Sequence, residues 1–245
     1  MKRKLRLDEL VVARGLAASL KEAGARIMAG EIDTPRIHSP KAGTLVDPTL
    51  AITLKAANPY VSRGGLKLEA ALEKFNIRVE GKICMDIGAS TGGFTDCLLQ
   101  RGAAKVYAVD VGKNLLDITL KNDPRVISLE NTNFRYFPHN ALKERVEFVT
   151  IDVSFISLKK VVPSVIAHVV SGAEILALIK PQFEADRSKI IKGVVRDDSV
   201  RAAIIEDITS FFRGLGMEPA GGTDSAIKGP KGNREYFLHA IMRKT

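Results

Sequence analysis

Four ionisable residues, far apart in the chain, are the first candidates for chemistry: Lys67, Asp152, Lys180 and Glu235. Asp152 closes the apolar run Phe148-Val149-Thr150-Ile151, and Lys180 closes the run Ile175 to Ile179. Glu235 ends the polar stretch Asn233-Arg234-Glu235, just before another apolar run, and Lys67 stands near the start of a helical pattern. Two amines and two carboxylates gathered at one point can hold a hydroxyl nucleophile in line and take its proton. A free lysine, with a pKa of about 10.4, is a poor base at neutral pH. Burial and a second cation favour the neutral amine, and carboxylates favour the ammonium. Lys180 therefore serves as base if desolvation and Lys67 outweigh Asp152 and Glu235. Taken singly, each of the four also reads as a solvated terminus, so the elements that carry them decide the matter.

Those elements alternate. Strands are expected at about 83–87, 105–110, 126–130, 147–152, 174–180, 217–223 and 236–242, with helices between most of them. This is the pattern of a doubly wound parallel sheet, in which ligands lie outside the carboxyl ends of the strands. The last strand follows its neighbour after a glycine-rich loop instead of a helix, which predicts an antiparallel edge hairpin. Ser62 or a following glycine opens a helix whose buried face is Leu68, Ala71, Leu72 and Phe75. Lys67 falls off that stripe and opposes the helix dipole. Ser199 is expected to cap a long helix with Val200, Ile204, Ile205, Ile208, Phe211 and Phe212 as core residues.

The stretch Ile83-Cys84-Met85-Asp86-Ile87-Gly88-Ala89-Ser90-Thr91-Gly92-Gly93-Phe94 runs from strand through small residues into a helix. Glycine there lets the backbone approach a ligand closely. The glycine spacing misses both the dinucleotide fingerprint and the Walker loop. Asp-x-Gly-x-x-x-Gly-Gly instead closely resembles the first motif of methyltransferases that use S-adenosylmethionine (SAM). The next strand ends in Asp110, roughly 20 residues beyond the glycines, where a carboxylate accepts ribose hydroxyls; the plain alternative is a solvated strand end.

Composition narrows the class. The 245 residues suffice for one large domain and a small one. Two cysteines, Cys84 and Cys97, make neither a disulfide framework nor a zinc site, and no metal is expected. They read as core residues in a reducing, cytoplasmic compartment. A net charge of +9 points to a polyanionic partner, nucleic acid before membrane. Met1-Lys2-Arg3-Lys4 resembles a signal-peptide start, but Asp8 and Glu9 occupy the place of its apolar region. The most apolar window, Val161 to Ile179, contains Pro163, His168, Gly172 and Glu174. It reads as a helix followed by a buried strand, and no membrane association is expected.

Residues 1–57 differ in texture. Leu7, Leu10 and Val11 suggest a short helix with a turn at Arg14-Gly15. Ser19 caps a second helix over about Leu20 to Ala29, stopped by Gly30. Short extended pieces follow, and up to Tyr60 ten Lys/Arg face six Asp/Glu. Arg6-Leu7-Asp8 with Ile27-Met28-Ala29-Gly30 resembles an S4-type RNA-binding domain, with Leu20 standing where such domains usually carry Arg. The alternative is a basic module that only packs on the rest. Candidate RNA contacts are Arg3, Lys4, Arg6, Arg14 and Lys21, with Arg63 at the domain entry. Lys189 and Lys192 join them, from the basic loop between Gln182 and Asp198. The linker is placed at Ala56-Ala57-Asn58-Pro59. The domains expected are 1–57, a linker and entry at 58–65, and 66–245.

The chain as a whole resembles the TlyA, or haemolysin A, family, in which an S4 domain precedes an FtsJ/RrmJ-like ribose methyltransferase domain. The resemblance rests on Tyr60 to Leu68, the glycine motif, Ile151 to Leu158, Leu178 to Glu184 and Gly229 to Glu235; Ser225-Ala226 departs from it. It implies an α/β, class I (Rossmann-like) SAM methyltransferase sheet with an antiparallel last strand, preceded by a small α+β S4-type domain. It implies a Lys-Asp-Lys-Glu tetrad at Lys67, Asp152, Lys180 and Glu235. Cofactor contacts follow at Asp86, Gly88, Ser90, Gly92, Gly93, Phe94 and Asp110, with Asn131 or Asp152 beside them. The implied reaction is cytidine 2′-O-methylation in ribosomal RNA, with ribosomal subunits as partners.

Other acceptors fit less well. Asp152-Val153-Ser154-Phe155 lacks the prolines of a base-nitrogen methylation loop, and neither cysteine stands where carbon-five methylation needs one. Two further readings stay open: a membrane-active haemolysin, separable by liposome leakage, and a non-catalytic RNA-binding or assembly factor, separable by SAM calorimetry.

Overall fold

The computed structural model describes residues 4–28, 30–35, 37, 40–54 and 58–243, with only the backbone at Pro230. Arg3, Ala29 and the expected linker residues Ala56 and Ala57 lie outside the described residues. The chain divides into two compact units, Met1–Asn58 and Pro59–Thr245.

The first unit holds β1 (Leu5–Arg6), α1 (Leu7–Ala13), α2 (Leu20–Met28), β2 (Ile32–Asp33), β3 (Leu45–Val46) and β4 (Thr53–Leu54). β1 pairs with β3 and β2 with β4, both antiparallel. Leu7, Leu10, Val11, Ala23, Ile27, Ile32 and Val46 form its core. The Ser19 hydroxyl accepts the Glu22 N–H at 3.2 Å, and the Glu22 carboxylate accepts the Ala18 N–H at 2.8 Å. That reciprocal pair satisfies two amides left open at the start of α2.

The second unit opens on α3 (Arg63–Phe75), capped by Ser62, whose hydroxyl accepts the Gly64 N–H. Arg63, Gly64 and Gly65 are therefore already helical. There follow β5 (Ile83–Ile87), α4 (Gly93–Gln100), β6 (Lys105–Val109), α5 (Ile118–Lys121), β7 (Val126–Leu129) and β8 (Val146–Ile151). Next come α6 (Leu158–Val165), β9 (Val169–Ile179), α7 (Pro181–Glu184), α8 (Asp198–Gly214), β10 (Met217–Asp224) and β11 (Tyr236–Met242). The strand order is β10-β11-β9-β8-β5-β6-β7. Pairing is parallel from β9 to β7, and β11 is antiparallel to both β9 and β10. The last strand thus lies inside the sheet, with β10 as the edge.

Alternate residues of each strand feed opposite cores, as the two-residue period of a strand requires. Ile175, Ala177 and Ile179 of β9 pack with Val161, Val165, Ile208 and Phe212. Leu176 and Leu178 pack on the other face with Leu68, Leu72, Leu98 and Phe237. Cys84 and Cys97 are buried and unpaired. Two expectations are corrected. β9 starts at Val169, several residues early, because it continues the pairing with Val146 past a register shift. The cap of α8 is Asp197, not Ser199: its carboxylate accepts the Ser199 and Val200 N–H groups, and the Ser199 hydroxyl donates to it. The helix therefore starts two residues earlier than expected, with an ionised cap whose charge also suits the positive end of the helix dipole. Among the described residues, no helix is long and apolar enough to cross a membrane.

Candidate active site

Strand register assembles the site. Ile87 pairs with Ile151, and Ile151 with Ala177, so Gly88 and Asp152 leave the sheet together at its carboxyl edge. Tyr236 pairs with Ile179. Because β11 runs antiparallel, Glu235 before its first residue emerges beside Lys180 after the last residue of β9. The one reversed strand is what brings an acid from the far end of the chain to this edge.

The four charged groups form two ion pairs. Lys67 Nζ donates to Glu235 Oε2 at 2.6 Å, with the Glu235 side chain wholly buried. Lys180 Nζ lies 2.6 Å from Asp152 Oδ1. That second contact is a charge contact without hydrogen-bond alignment, since Oδ1 has no aligned donor. The directed hydrogen bond of Lys180 goes to the Ser154 hydroxyl at 2.9 Å. Glu235 Oε1 is buried and has no hydrogen-bond partner among the described residues. A buried acceptor in that state is costly, and this oxygen is packed against Gly229.

All four residues line one cavity of about 330 Å³, together with Gly88, Ser90, Gly93, Phe94 and Arg63. A second cavity of about 500 Å³ adjoins it and shares Gly88, Ser90, Asp152 and Ser154. Its walls are apolar at Val111, Leu115, Phe134 and Ile156, and Asp110 stands among them. This donor set fits SAM: apolar walls for a purine, a carboxylate for ribose hydroxyls and a glycine turn for the amino-acid end. The volume lies within the range of about 300–1,000 Å³ usual for such ligands. Asp110 accepts from the Ser90 N–H at 2.8 Å and the Gly112 N–H at 2.7 Å, and its remaining lone pairs can take the ribose. Gly88 has φ +89°, and a Cβ there would come 2.6 Å from the Asp152 carbonyl oxygen. Only glycine lets the turn pass this close to the neighbouring strand end.

Three predicted cofactor residues line neither cavity. Asp86 is fully buried beneath the turn and accepts the Thr95 and Thr150 hydroxyls at 2.8 and 3.0 Å. Burial pushes its carboxyl up to about 7, against the pull of those hydroxyls. It ties β5, α4 and β8 together behind the site. Gly92, at φ +98°, has no room for a Cβ against Leu120 and Leu116, so it seats α5 on the turn. Asn131 stands outside both cavities. It occupies an exposed left-handed turn and donates its N–H to Gly112 O. Asn133, two residues on, lines the larger cavity instead. Its side chain caps the short helix Phe134–Tyr136 by accepting the Arg135 N–H.

Residues that sequence reasoning did not single out as site members also line the tetrad cavity: Ser62, Thr91, Ser154, Lys228 and Gly229. Gly229 leaves no space for a Cβ beside Glu235 Oε1. Lys189 and Lys192 are exposed and line neither cavity. In the first unit Lys4, Arg6, Arg14 and Lys21 are exposed. Arg6 is committed to Asp8 by a pair at 2.6 Å, and Arg14 donates to Pro48 O.

Comparison with known proteins places this geometry. The sequence profile described as FtsJ-like methyltransferase matches residues 60–241. A candidate rRNA methyltransferase of Bacillus subtilis, YqxC, is 48% identical over 97% of this chain and 85% of its own. The 16S/23S rRNA (cytidine-2′-O)-methyltransferase TlyA of Mycobacterium tuberculosis is 43% identical over 97% of this chain and 90% of its own. The solved structure of a candidate hemolysin from Streptococcus thermophilus superposes with a TM-score of 0.78 at 42% identity. It covers 100% of this chain and 90% of that one.

Proposed function

Since this chain belongs to the FtsJ-like methyltransferases, and within them to the TlyA/haemolysin A group, we propose that it methylates a ribose 2′-hydroxyl, of cytidine, in ribosomal RNA. SAM supplies a methyl group on a sulfonium, held in the larger cavity. The observation that carries the reading is the tetrad cavity itself, which opens beside the cofactor cavity and shares Gly88, Ser90, Asp152 and Ser154 with it. A ribose in the tetrad cavity is within reach of a methyl donor in the other.

The residues divide the work. Glu235 and Lys67 hold the sugar hydroxyl at the wall of the tetrad cavity that they both line. Lys180 stands where it can hold the sugar hydroxyl and take its proton, and bound SAM would supply the methyl group that this oxygen receives. Asp152 and Ser154 fix the amine, and fixed geometry supplies part of the rate. Arg63, in the same cavity, and the exposed Lys189 and Lys192 grip flanking phosphates. The basic first unit, with its S4-like order of elements, adds RNA affinity through Lys4, Arg6, Arg14 and Lys21. The expected setting is the cytoplasm, with ribosomal subunits as partners.

The test incubates purified ribosomal subunits with labelled SAM and maps the modified position. Incorporation at a cytidine 2′-oxygen is expected with the wild-type protein. Lys180→Ala is expected to bind SAM in calorimetry and transfer nothing. Transfer to a base, or full transfer by Lys180→Ala, would refute the assignment.

A further inference from the structure

Two loops carry most of the chemistry at the sheet edge: residues 152–157 after β8, and the turn that begins at Lys180 after β9. Lys180 touches Asp152 and Ser154 across the gap between them. The sheet holds each loop only at its root, where the Asp152 N–H donates to Ile87 O at 2.9 Å and Ile179, just before Lys180, pairs with Tyr236; past those roots a side chain ties the two loops together.

The brace is the Glu184 carboxylate. α7 is a single turn that starts from Lys180: the Phe183 N–H donates to Lys180 O, and the Ala185 N–H to Pro181 O, both at 2.9 Å. This turn fixes Glu184 relative to Lys180. Its carboxylate then crosses to the other loop. Oε2 accepts the Ser157 hydroxyl at 2.5 Å, and Oε1 accepts the Leu158 N–H at 2.8 Å. Ser157 caps α6, and Leu158 is that helix's first residue. Glu184 therefore binds the helix start that ends the Asp152 loop. The rings of Phe155 and Phe183 meet across the same gap, 5.0 Å between centroids. Burial raises the Glu184 carboxyl above the usual range, and both donors pull it back down.

We propose that Glu184 is a positioning residue for methyl transfer, clamping the Asp152 loop to the Lys180 turn and so setting the Lys180–Asp152 contact. The inference rests on the methyl-transfer reading for its kinetic consequence, but not for its geometry. Nothing in the catalytic step needs Glu184 to be charged. A glutamine keeps an oxygen for the Leu158 N–H, and its amide can donate to the Ser157 hydroxyl, which accepts as well as donates. Alanine removes both contacts.

The experiment compares crystal structures and kinetics of Glu184→Ala, Glu184→Gln and Ser157→Ala with the wild type. In Glu184→Ala the Lys180–Asp152 contact is expected to open beyond ion-pair distance, with kcat at saturating SAM down about tenfold to a hundredfold. SAM affinity is expected to fall by less than kcat, because Asp110 and the glycine turn stay in place while only one wall of the larger cavity, at Asp152, Ser154 and Ile156, shifts. Glu184→Gln should keep the contact and most of kcat. Ser157→Ala, which loses one of two contacts, should fall between them, and it carries the test if Glu184→Ala does not fold. An unchanged Lys180–Asp152 distance in the alanine variants would overturn the proposal, whatever the reaction proves to be. So would a glutamine variant as impaired as the alanine one. Failure of the wild-type protein to methylate would refute the functional reading and leave the structural comparison to decide the clamp.

Discussion

Lys67 and Glu235 stand 168 residues apart in the chain and 2.6 Å apart in space. The glutamate side chain is wholly buried, and one of its oxygens has no partner among the described residues. Lys67 is therefore the charge that makes the burial of Glu235 tolerable.

Removing that charge should be felt in stability as well as in activity. Breaking a buried pair from one side costs roughly 3–5 kcal/mol, because the other charge stays behind. Lys67→Ala is expected to lose a loss of that order in urea unfolding, and Lys67→Ala with Glu235→Gln to recover part of it. Simple additivity of the two substitutions would show that the pair is not coupled.

The cofactor cavity separates two asparagines. Asn133 lines it and Asn131 does not. Asn133→Ala is expected to weaken SAM binding by about tenfold, the equivalent of one good hydrogen bond. Asn131→Ala should leave calorimetric affinity near that of the wild type. The reverse ranking would mean that the cofactor lies elsewhere.

Asp86 predicts a pH dependence of stability. Its carboxyl is raised to about 7 by burial, whereas an unfolded chain titrates it near about 3.9. Between those values the folded protein keeps a proton that the unfolded chain has released. Stability from this group is therefore greatest at the acid end and declines as pH climbs from about 4 to about 7, levelling off above. Denaturant titrations at pH 5 and pH 8 should show Asp86→Asn gaining on the wild type at the higher pH. A difference that does not change with pH would contradict the buried assignment.

Lys189 and Lys192 are exposed and line neither cavity. Replacing both with Ala should weaken RNA binding and flatten its salt dependence by about 0.7–0.9 in log–log slope per lost phosphate contact. SAM affinity should not move. Binding with an unaltered slope would remove them from the RNA path.

Much of this molecule was legible before any coordinates. The strands showed because apolar runs alternate with helical patterns, and the glycine turn because its spacing has few other uses. Asp152 and Lys180 were findable as polar residues closing apolar runs. Local patterns of this kind depend on a few neighbouring residues, and the chain spells them out directly. Position in the sheet does not work that way. That β11 inserts between β9 and β10 is what delivers Glu235 to Lys180, and pairing order is a long-range choice that no local pattern encodes. The same limit kept the place of Asn133 on the cavity wall out of view. It also hid Glu184, whose partners lie across a loop gap. Residue types and spacing thus determined which groups were available for chemistry; the tertiary structure decided which of them meet, because burial and strand register act between segments that the sequence keeps far apart.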